Sequence, residues 1–384
     1  MKTTQTALHQ EFSAQSTALY IGFELSKNGW KLALSDGDCD RIKNKRVASY
    51  DFEGLEALVE WAKDYFELAD DFEIFSVYEA GLDGFWIHHS LGDMGFQNIV
   101  VDPASIEVSQ KKRRRKTDRL DAMRLVRHLV RYHAGDSRLW SVCQVPTRQD
   151  EDDRRIEREL YRLKCEQTGH VNRIKGLLST RGIPFAKINR KFLERIDELV
   201  GKDGLKLPRQ LKREIMRQHQ RLELVWANIK AVEKERKALI EAREGEEKIE
   251  KVKTLEMLRG IGEDSAWLIT MEMFGWRTFN NRGQVGAYAG LTPSPWNTGQ
   301  SKRDQGICKS GNKWVRGRMI QLAWLWLQYQ PKSELAQWFN SKYGDSGKRS
   351  KRVGIVALAR KLLVRLWKFV EYGEVPNGAR LKLN

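Results

Sequence analysis

The stretch ALYIGFELSKNGWKLALSDG, residues 18–37, alternates apolar and polar positions and is rich in residues that favour β-strands. The alternation stops at SDGDCD and resumes in KRVASYDFEG, residues 45–54. Two such runs joined by a segment of turn-forming residues are typical of antiparallel strands. These residues therefore predict the hairpin with which a mixed sheet begins.

Helices and strands alternate after this hairpin. The spacing of apolar residues predicts an amphipathic helix over 55–69 and strands over 72–80 and 96–103. We expect further helices to begin near Asp83 and near Thr117. Hairpin strands followed by this alternation predict a mixed α/β domain with an RNase H-like sheet.

The middle of the chain, residues 150–250, is highly charged and has a helical pattern. Its second half carries apolar residues at alternating three- and four-residue steps, which predicts a helical hairpin or a short coiled coil. The positions are Leu211, Ile215, Leu222, Val225, Ile229, Val232 and Leu239, with Gln218 and Arg236 in the two remaining slots. The pattern leaves open whether the partner helix belongs to the same chain or to a second copy.

The last part of the chain, residues 251–384, begins with a Gly-rich bend between two predicted helices. A loop-rich basic stretch follows over 290–318, and two more helices end the chain. We therefore expect a multidomain α/β plus α protein with a flexible N-terminus over 1–16, an α/β domain over 17–149, a charged helical linker over 150–250, and a mainly helical domain over 251–384.

The composition points to a polyanionic partner. Lys and Arg total 68 against 51 Asp and Glu, so the formal net charge is +17. No apolar run approaches the ~18 residues needed to span a bilayer, and the N-terminus lacks the features of a signal peptide. We expect a cytoplasmic protein with reduced cysteines, because the four cysteines form no CxxC pair.

Four acidic residues stand where a metal site needs them. Glu24 lies in the first strand, on the face shared with Gly22 and Ser26. Glu79 ends the apolar strand FSVYEA, and Asp118 and Asp121 share one helical face in KTDRLDA. Two-metal phosphoryl chemistry requires several converging carboxylates. Taken alone, Glu24 also fits an edge-strand charge, and Glu79 and Asp118 also fit helix caps. Asp102 is a weaker alternative ligand.

A run of six cations precedes the two aspartates: Lys111, Lys112, Arg113, Arg114, Arg115 and Lys116, with Arg119 just beyond. A charge run is often only a solvated loop. Beside candidate metal ligands, we favour the interpretation that it binds a phosphate backbone.

The ordered set of motifs resembles one known family, the DEDD transposases of bacterial insertion sequences, numbered one hundred and ten, which includes bridge-RNA-guided recombinases. The matching motifs are IGFELSK, VYEAGLDGFW, VVDPAS, KTDRLDA, LRGIG, AYAGLTPSP, NTGQSKRDQGICKSGN and IVALARKLL. They occur in family order along almost the whole chain.

The resemblance implies a RuvC-like N-terminal domain, a helical linker and a C-terminal transposase domain with a serine nucleophile. It assigns Glu24, Glu79, Asp118 and Asp121 to the Mg²⁺ ligands, with Glu24 in place of the usual Asp. The nucleophile position is occupied by Thr298, a secondary alcohol with a stiff χ1. Ser301 and Ser294 are nearby substitutes outside the motif position, and an ordinary turn hydroxyl is the simpler alternative for Thr298.

Basic residues and glycines around Thr298 suit phosphate binding. The cations are Lys302, Arg303, Lys309, Lys313, Arg316 and Arg318. LRGIG resembles a helix-hairpin-helix element, in which amides near Gly260 and Gly262 meet a phosphate. A plain turn between helices explains these glycines equally well.

The resemblance implies a recombinase that joins donor and target DNA through a covalent protein–DNA ester, guided by a structured bridge RNA. It also implies a homo-oligomer, a dimer that forms a tetramer in synapsis. Two other functions fit the residues: a metal-dependent junction nuclease in which water attacks, and a non-catalytic nucleic-acid-binding protein.

Overall fold

The computed structural model describes residues 17–81, 84–106, 118–183, 187–298 and 301–382, with the backbone alone for 118–120, 295–298 and 301–305. The expected flexible segment 1–16 and the basic run 111–116 lie outside the described residues. The chain divides into two compact units, Met1–Arg148 and Gln149–Asn384. Within the described ranges, no helix is both long and apolar enough to cross a membrane.

The first unit is built on a mixed sheet. Its strands in the described residues are β1 (Ala18–Glu24), β2 (Trp30–Ser35), β3 (Lys43–Val47), β4 (Glu73–Glu79) and β5 (Gln97–Val101). The strand order is β3-β2-β1-β4-β5. The three strands β1 to β3 pair antiparallel, and β4 is parallel to both β1 and β5. The predicted antiparallel pairing and the predicted α/β alternation are confirmed, but the first run, residues 18–37, divides into the two strands β1 and β2.

Helices cover both faces of this sheet: α1 (Phe52–Phe66), α2 (Trp86–Asp93) and α3 (Asp118–His133). Leu19, Ile21 and Phe23 of β1 share one apolar cluster with residues of α1 and α2. The side chain of Tyr20 lies on the opposite face of the sheet, against α3, and a Cβ added to Gly22 would lie on that same face. The side chain of Glu24, two residues after Gly22, therefore leaves β1 on the α3 face.

The second unit is mainly helical. It contains α4 (Arg148–Asp153, which begins at the last residue of the first unit), α5 (Arg155–Ser179), α6 (Arg209–Ala242), α7 (Glu247–Glu256), α8 (Glu263–Ile269), α9 (Arg282–Tyr288), α10 (Lys313–Tyr329), α11 (Glu334–Tyr343) and α12 (Lys348–Tyr372). A single π-helical turn, Thr270–Phe274, extends α8. The largest apolar cluster of the described residues lies among α7, α8, α10 and α12.

The predicted seam on α6 packs against α5 of the same chain. Leu222 lies in one cluster with Ile174 of α5, and Val225 lies in another with Leu160 of α5. Near the start of the seam the structure buries His219 and leaves Gln218 half-buried. The later seam positions Leu222, Val225, Val232 and Arg236 are buried as predicted, so the difference is confined to this one slot.

Buried ion pairs join these middle helices to the helices that follow. The Arg236 side chain is 4% exposed and contacts Glu157 at 3.1 Å, Glu263 at 2.9 Å and Asp264 at 2.5 Å. Arg318 of α10 contacts the other oxygen of Glu157 at 2.7 Å. The polar slot in the seam therefore holds a charge that is compensated by three acids.

The stretch predicted as loop over 290–318 forms a hairpin in part. Strands β6 (Pro293–Thr298) and β7 (Ser301–Ile307) pair antiparallel, with an irregularity between Pro293 and Pro295. Two prolines and few apolar residues hide the strand signal, because proline is normally excluded from strand interiors.

Candidate active site

Two of the predicted acids end neighbouring parallel strands. In the β1–β4 pairing Phe23 lies opposite Tyr78, and the next residue on each strand is Glu24 and Glu79. Adjacent strands lie about 4.8 Å apart. Both carboxylates are half-buried. The strand register thus places two acids side by side at the carboxyl edge of the sheet.

A glycine brings α3 to this edge. A Cβ atom on Gly22 would lie 2.6 Å from the carbonyl oxygen of Ala122 and 2.8 Å from the amide nitrogen of Val126. At the other end of α3, the ring of His133 lies 5.7 Å from Tyr20 and 4.0 Å from Phe75. The helix therefore runs antiparallel to β1, and its first turns lie at the strand ends.

One arginine connects two of the predicted ligands. Nη2 of Arg124 lies 3.3 Å from Oε1 of Glu79 and 3.4 Å from Oδ1 of Asp121. The Asp121 side chain is 10% exposed and that of Glu79 is 30% exposed. Two carboxylates from different elements thus converge on one cationic nitrogen. Glu79 is not a helix cap, because α2 begins after Phe85.

The other predicted ligands are described less fully. Asp118 is the first residue of α3, one turn before Asp121, and its side chain lies outside the description. Among the described side chains, no group of three His, Cys, Asp or Glu could hold a metal ion. Asp102 accepts a hydrogen bond from the amide of Ala104 at 2.9 Å, and this cap accounts for its position.

Arg124 is the residue that sequence reasoning missed. It lies one helical turn after Asp121, so the i, i+3 spacing was visible in the sequence. The Glu79 contact was not visible, because it depends on how α3 crosses the sheet.

Thr298, the predicted nucleophile, is the last residue of β6 and pairs with Ser301 across the hairpin. Its side chain lies outside the described atoms, as do those of Lys302 and Arg303. Ser294, the other substitute, lies near the start of β6.

A polar network around the buried carboxylate of Glu272 joins the two ends of the segment that carries this hairpin. Glu272, on the π-helical turn, accepts hydrogen bonds from Arg158 Nε at 2.6 Å and Nη2 at 2.9 Å, and from Asn312 Nδ2 at 2.8 Å. Asn312 also caps α10, and Tyr288 donates to the backbone oxygen of Glu272 at 2.5 Å. Burial raises the pKa of the Tyr288 hydroxyl, so it remains a donor. The network fixes both ends of the segment from Tyr288 to Asn312.

The predicted phosphate contacts of this region divide into two groups. Lys309 and Lys313 are exposed. Arg316 instead donates to the carbonyl oxygens of Ala289 at 3.2 Å and Gly311 at 3.3 Å, which stabilises the turn itself. The lysines therefore remain available to a ligand, whereas Arg316 has internal partners.

The LRGIG segment forms a tight turn. Gly260 has φ +95°, a conformation that favours glycine, and Gly262 is the N-cap of α8. Glu263 and Asp264 occupy the first turn of this helix and pair with Arg236. Acids at this end favour the interhelical-turn interpretation over phosphate binding.

Comparisons with known proteins agree with these motifs. A sequence profile described as "Transposase IS116/IS110/IS902 family" matches residues 252–337. "Putative transposase y4rJ" of Sinorhizobium fredii (strain NBRC 101917 / NGR234) is 42% identical over 378 residues, 95% of each chain. "Transposase for insertion sequence element IS1328" of Yersinia enterocolitica is 29% identical over 172 residues, 44% of this chain and 48% of the relative.

A more distant relative covers more of the chain. "Transposase for insertion sequence element IS1111A" of Coxiella burnetii (strain RSA 493 / Nine Mile phase I) is 23% identical over 235 residues, 61% of this chain and 60% of the relative. The profile match and the 42% identity along nearly the full length show that this chain belongs to the IS116/IS110/IS902 family of transposases.

Proposed function

We propose that this transposase is the DNA recombinase of an insertion sequence and that it cuts and rejoins DNA through a covalent protein–DNA ester. The observation that carries the proposal is the convergence of Glu79 and Asp121 on one cationic nitrogen, with Glu24 on the adjacent strand. The strand order β3-β2-β1-β4-β5 supports an RNase H-like, RuvC-like domain around these acids.

Mg²⁺ is the cofactor we propose, with Glu24, Glu79, Asp118 and Asp121 as its ligands. The fit rests on the donors: carboxylate oxygens are the ligands that Mg²⁺ prefers, and Nη2 of Arg124 shows that positive charge is accommodated between Glu79 and Asp121. When bound, Mg²⁺ supplies charge neutralisation at the scissile phosphate and polarises the reacting oxygens.

Thr298 is the proposed nucleophile. Its Oγ1 forms a bond to phosphorus while the bond between phosphorus and the 3′ oxygen breaks, and the hydroxyl proton passes to the departing 3′ oxygen. A 3′ hydroxyl of the second duplex then attacks the threonine ester and regenerates Thr298. Because the ester conserves the energy of the phosphodiester bond, this exchange requires no ATP.

The proposal includes the partners that the resemblance implies. A structured bridge RNA selects donor and target DNA by base pairing, while the protein contacts mainly backbone and shape. The active form is a homo-oligomer in the bacterial cytoplasm. The net charge of +17 supports a nucleic-acid partner.

A denaturing gel that retains protein–DNA adducts tests this function. The protein is incubated with Mg²⁺, RNA transcribed from the flanks of its element, and labelled donor and target DNA. We expect a labelled adduct that is lost in Thr298→Ala and in Asp121→Asn. The matched control Asp71→Asn changes an exposed acid of the same unit and retains the adduct.

Each alternative function gives a different gel. Cleavage without an adduct, unaffected by Thr298→Ala, supports the nuclease in which water attacks. Salt-sensitive binding without cleavage in the same reaction supports a non-catalytic binder. Either result refutes the transesterification.

A further inference from the structure

An open groove of 2120 Å³ runs along α12 in the second unit. The β6–β7 hairpin, α9 and α11 also contribute to its walls, and we call it the α12 groove. Cations dominate its polar lining: Arg282, Lys309, Lys348, Arg349, Arg352 and Arg360. Glu334 is the single acid among the lining residues in the described part of the chain.

These six cations differ from the others in the groove. Arg365 pairs with Glu334 at 3.5 Å, Lys368 pairs with Glu374 at 2.8 Å, and Lys361 lies over the ring of Trp338 at 4.7 Å. Within the described ranges, no carboxylate lies within ion-pair distance of any of the six. The groove therefore presents concentrated positive charge that the described chain does not neutralise.

The cations on α12 also repel one another. Lys348 and Arg352 stand four residues apart on α12, where like charges destabilise a helix. No acid occupies the first turn of α12. An isolated helix gains nothing from this arrangement, whereas a polyanion along it would relieve the repulsion.

The shape of the row indicates an extended ligand. The interval of 12 residues between Lys348 and Arg360 corresponds to about 18 Å along the helix axis. One strand of duplex DNA carries a phosphate about every 3.4 Å along the axis, so such a row faces about five phosphates. A small anion would occupy only a fraction of it.

The floor of the groove favours DNA over RNA. It is apolar between the cations, and its residues include Leu291, Val353, Val356 and Val364. The Val353 side chain is exposed to solvent, with a residue exposure of 61%. Valine and leucine offer no partner for the 2′-hydroxyl by which proteins recognise RNA, but they can contact deoxyribose.

We propose that the α12 groove binds the sugar–phosphate backbone of DNA, with Arg349 and Arg352 as phosphate contacts. The inference rests on the proposed function for the identity of the polyanion. It assigns DNA binding to a surface of the second unit that is separate in sequence from the carboxylates of the first.

The test measures the salt dependence of binding by the full-length chain to a short labelled DNA duplex. The logarithm of the binding constant falls with the logarithm of salt concentration by about 0.9 per neutralised phosphate. Arg349→Gln with Arg352→Gln should therefore make the slope shallower by about 1.8. Both residues are exposed, and circular dichroism checks that the variant folds.

A matched control removes the same charge elsewhere. Arg217 and Arg221 are exposed and four residues apart on α6, and Arg217→Gln with Arg221→Gln should leave the slope unchanged. The proposal is overturned if the salt dependence of DNA binding decreases equally in both variants. It is also overturned if the slope of the groove variant is unchanged. A slope change that occurs with RNA of the same sequence but not with DNA overturns it as well.

The readouts separate this inference from the function itself. If wild-type protein forms the DNA adduct while the groove variant keeps its slope, the groove proposal fails and the recombinase function stands. If the slope falls as expected but no adduct forms in wild type, the recombinase function fails and the DNA-binding groove stands. Light scattering detects a second copy of the chain, and self-association that is lost in the groove variant without a slope change refutes DNA as the occupant.

Discussion

Replacing Gly22 by alanine should displace α3 from the sheet. The added Cβ would lie 2.6 Å from the Ala122 carbonyl oxygen, whereas ordinary contact begins at 3.4 Å, so the helix must retreat by about 0.8 Å (3.4 minus 2.6). Overpacking of this kind costs about 1–3 kcal/mol. Because the opposing atoms are backbone, no side-chain rotation can relieve the clash. Asp121, adjacent to Ala122, moves with the helix.

Two measurements follow from this displacement. Thermal unfolding should show a decrease of roughly 4–8 °C for a loss of about 2 kcal/mol in a domain of this size. DNA cleavage should fall by about 100-fold, since a shift near 1 Å is costly at a catalytic centre.

The control is Gly92→Ala in α2, where an added Cβ meets nothing within 4 Å. This change should raise the unfolding free energy by about 0.5–1 kcal/mol through helix propensity. If Gly22→Ala unfolds at the wild-type temperature, the proposed close approach of α3 to β1 is wrong.

Three further predictions concern charge. Burial alone would raise the pKa of the Asp153 carboxyl. Hydrogen bonds from Arg243, Gln149 and Lys248 outweigh burial and hold this pKa below its usual value. Asp153→Asn should therefore lower the free energy of unfolding by about 3 kcal/mol at pH 7. In urea titrations, the difference in unfolding free energy between wild type and variant should narrow as the pH falls below 3.8, because the wild-type carboxylate becomes protonated. Glu272→Gln removes the charge that strengthens the hydrogen bonds from Arg158 and should lower the free energy of unfolding by about 2 kcal/mol. An unchanged melting temperature would contradict this. Mg²⁺ at about 100 times its Kd should stabilise wild-type protein by about 2.7 kcal/mol, and Asp121→Asn should abolish that gain in a thermal-shift assay.

The sheet and its acids could be predicted because they obey local rules. Alternating residues specify β1 and β2, and an apolar strand that ends in a single acid specifies the position of Glu79. Placement of Asp121 near Glu79 required the crossing of α3 over Gly22, which is a tertiary contact between residues far apart in sequence. Arg124 was missed for the same reason.

The second unit shows where sequence patterns are insufficient. The seam on α6 was visible as a repeat, but the pattern did not identify α5 as its partner. The α12 groove was also missed. No local pattern links Lys348, Arg349 and Arg352 to a concave surface, because the groove is completed by residues of other elements, such as Arg282 of α9, Ile307 of β7 and Trp338 of α11.

The ion pairs around Glu157 restrict which segments of the chain can be exchanged between related transposases. Its carboxylate contacts Arg318, 161 positions later in the chain, and Arg158 contacts Glu272, 114 positions later. A chimera that exchanged only the residues after position 250 between relatives would have to preserve these charge pairs, or buried ions would lose their partners. Exchange at Arg148 and Gln149, the boundary of the two compact units, leaves every one of these pairs within a single parent. Recombination between related elements should therefore be tolerated better at that boundary than at position 250.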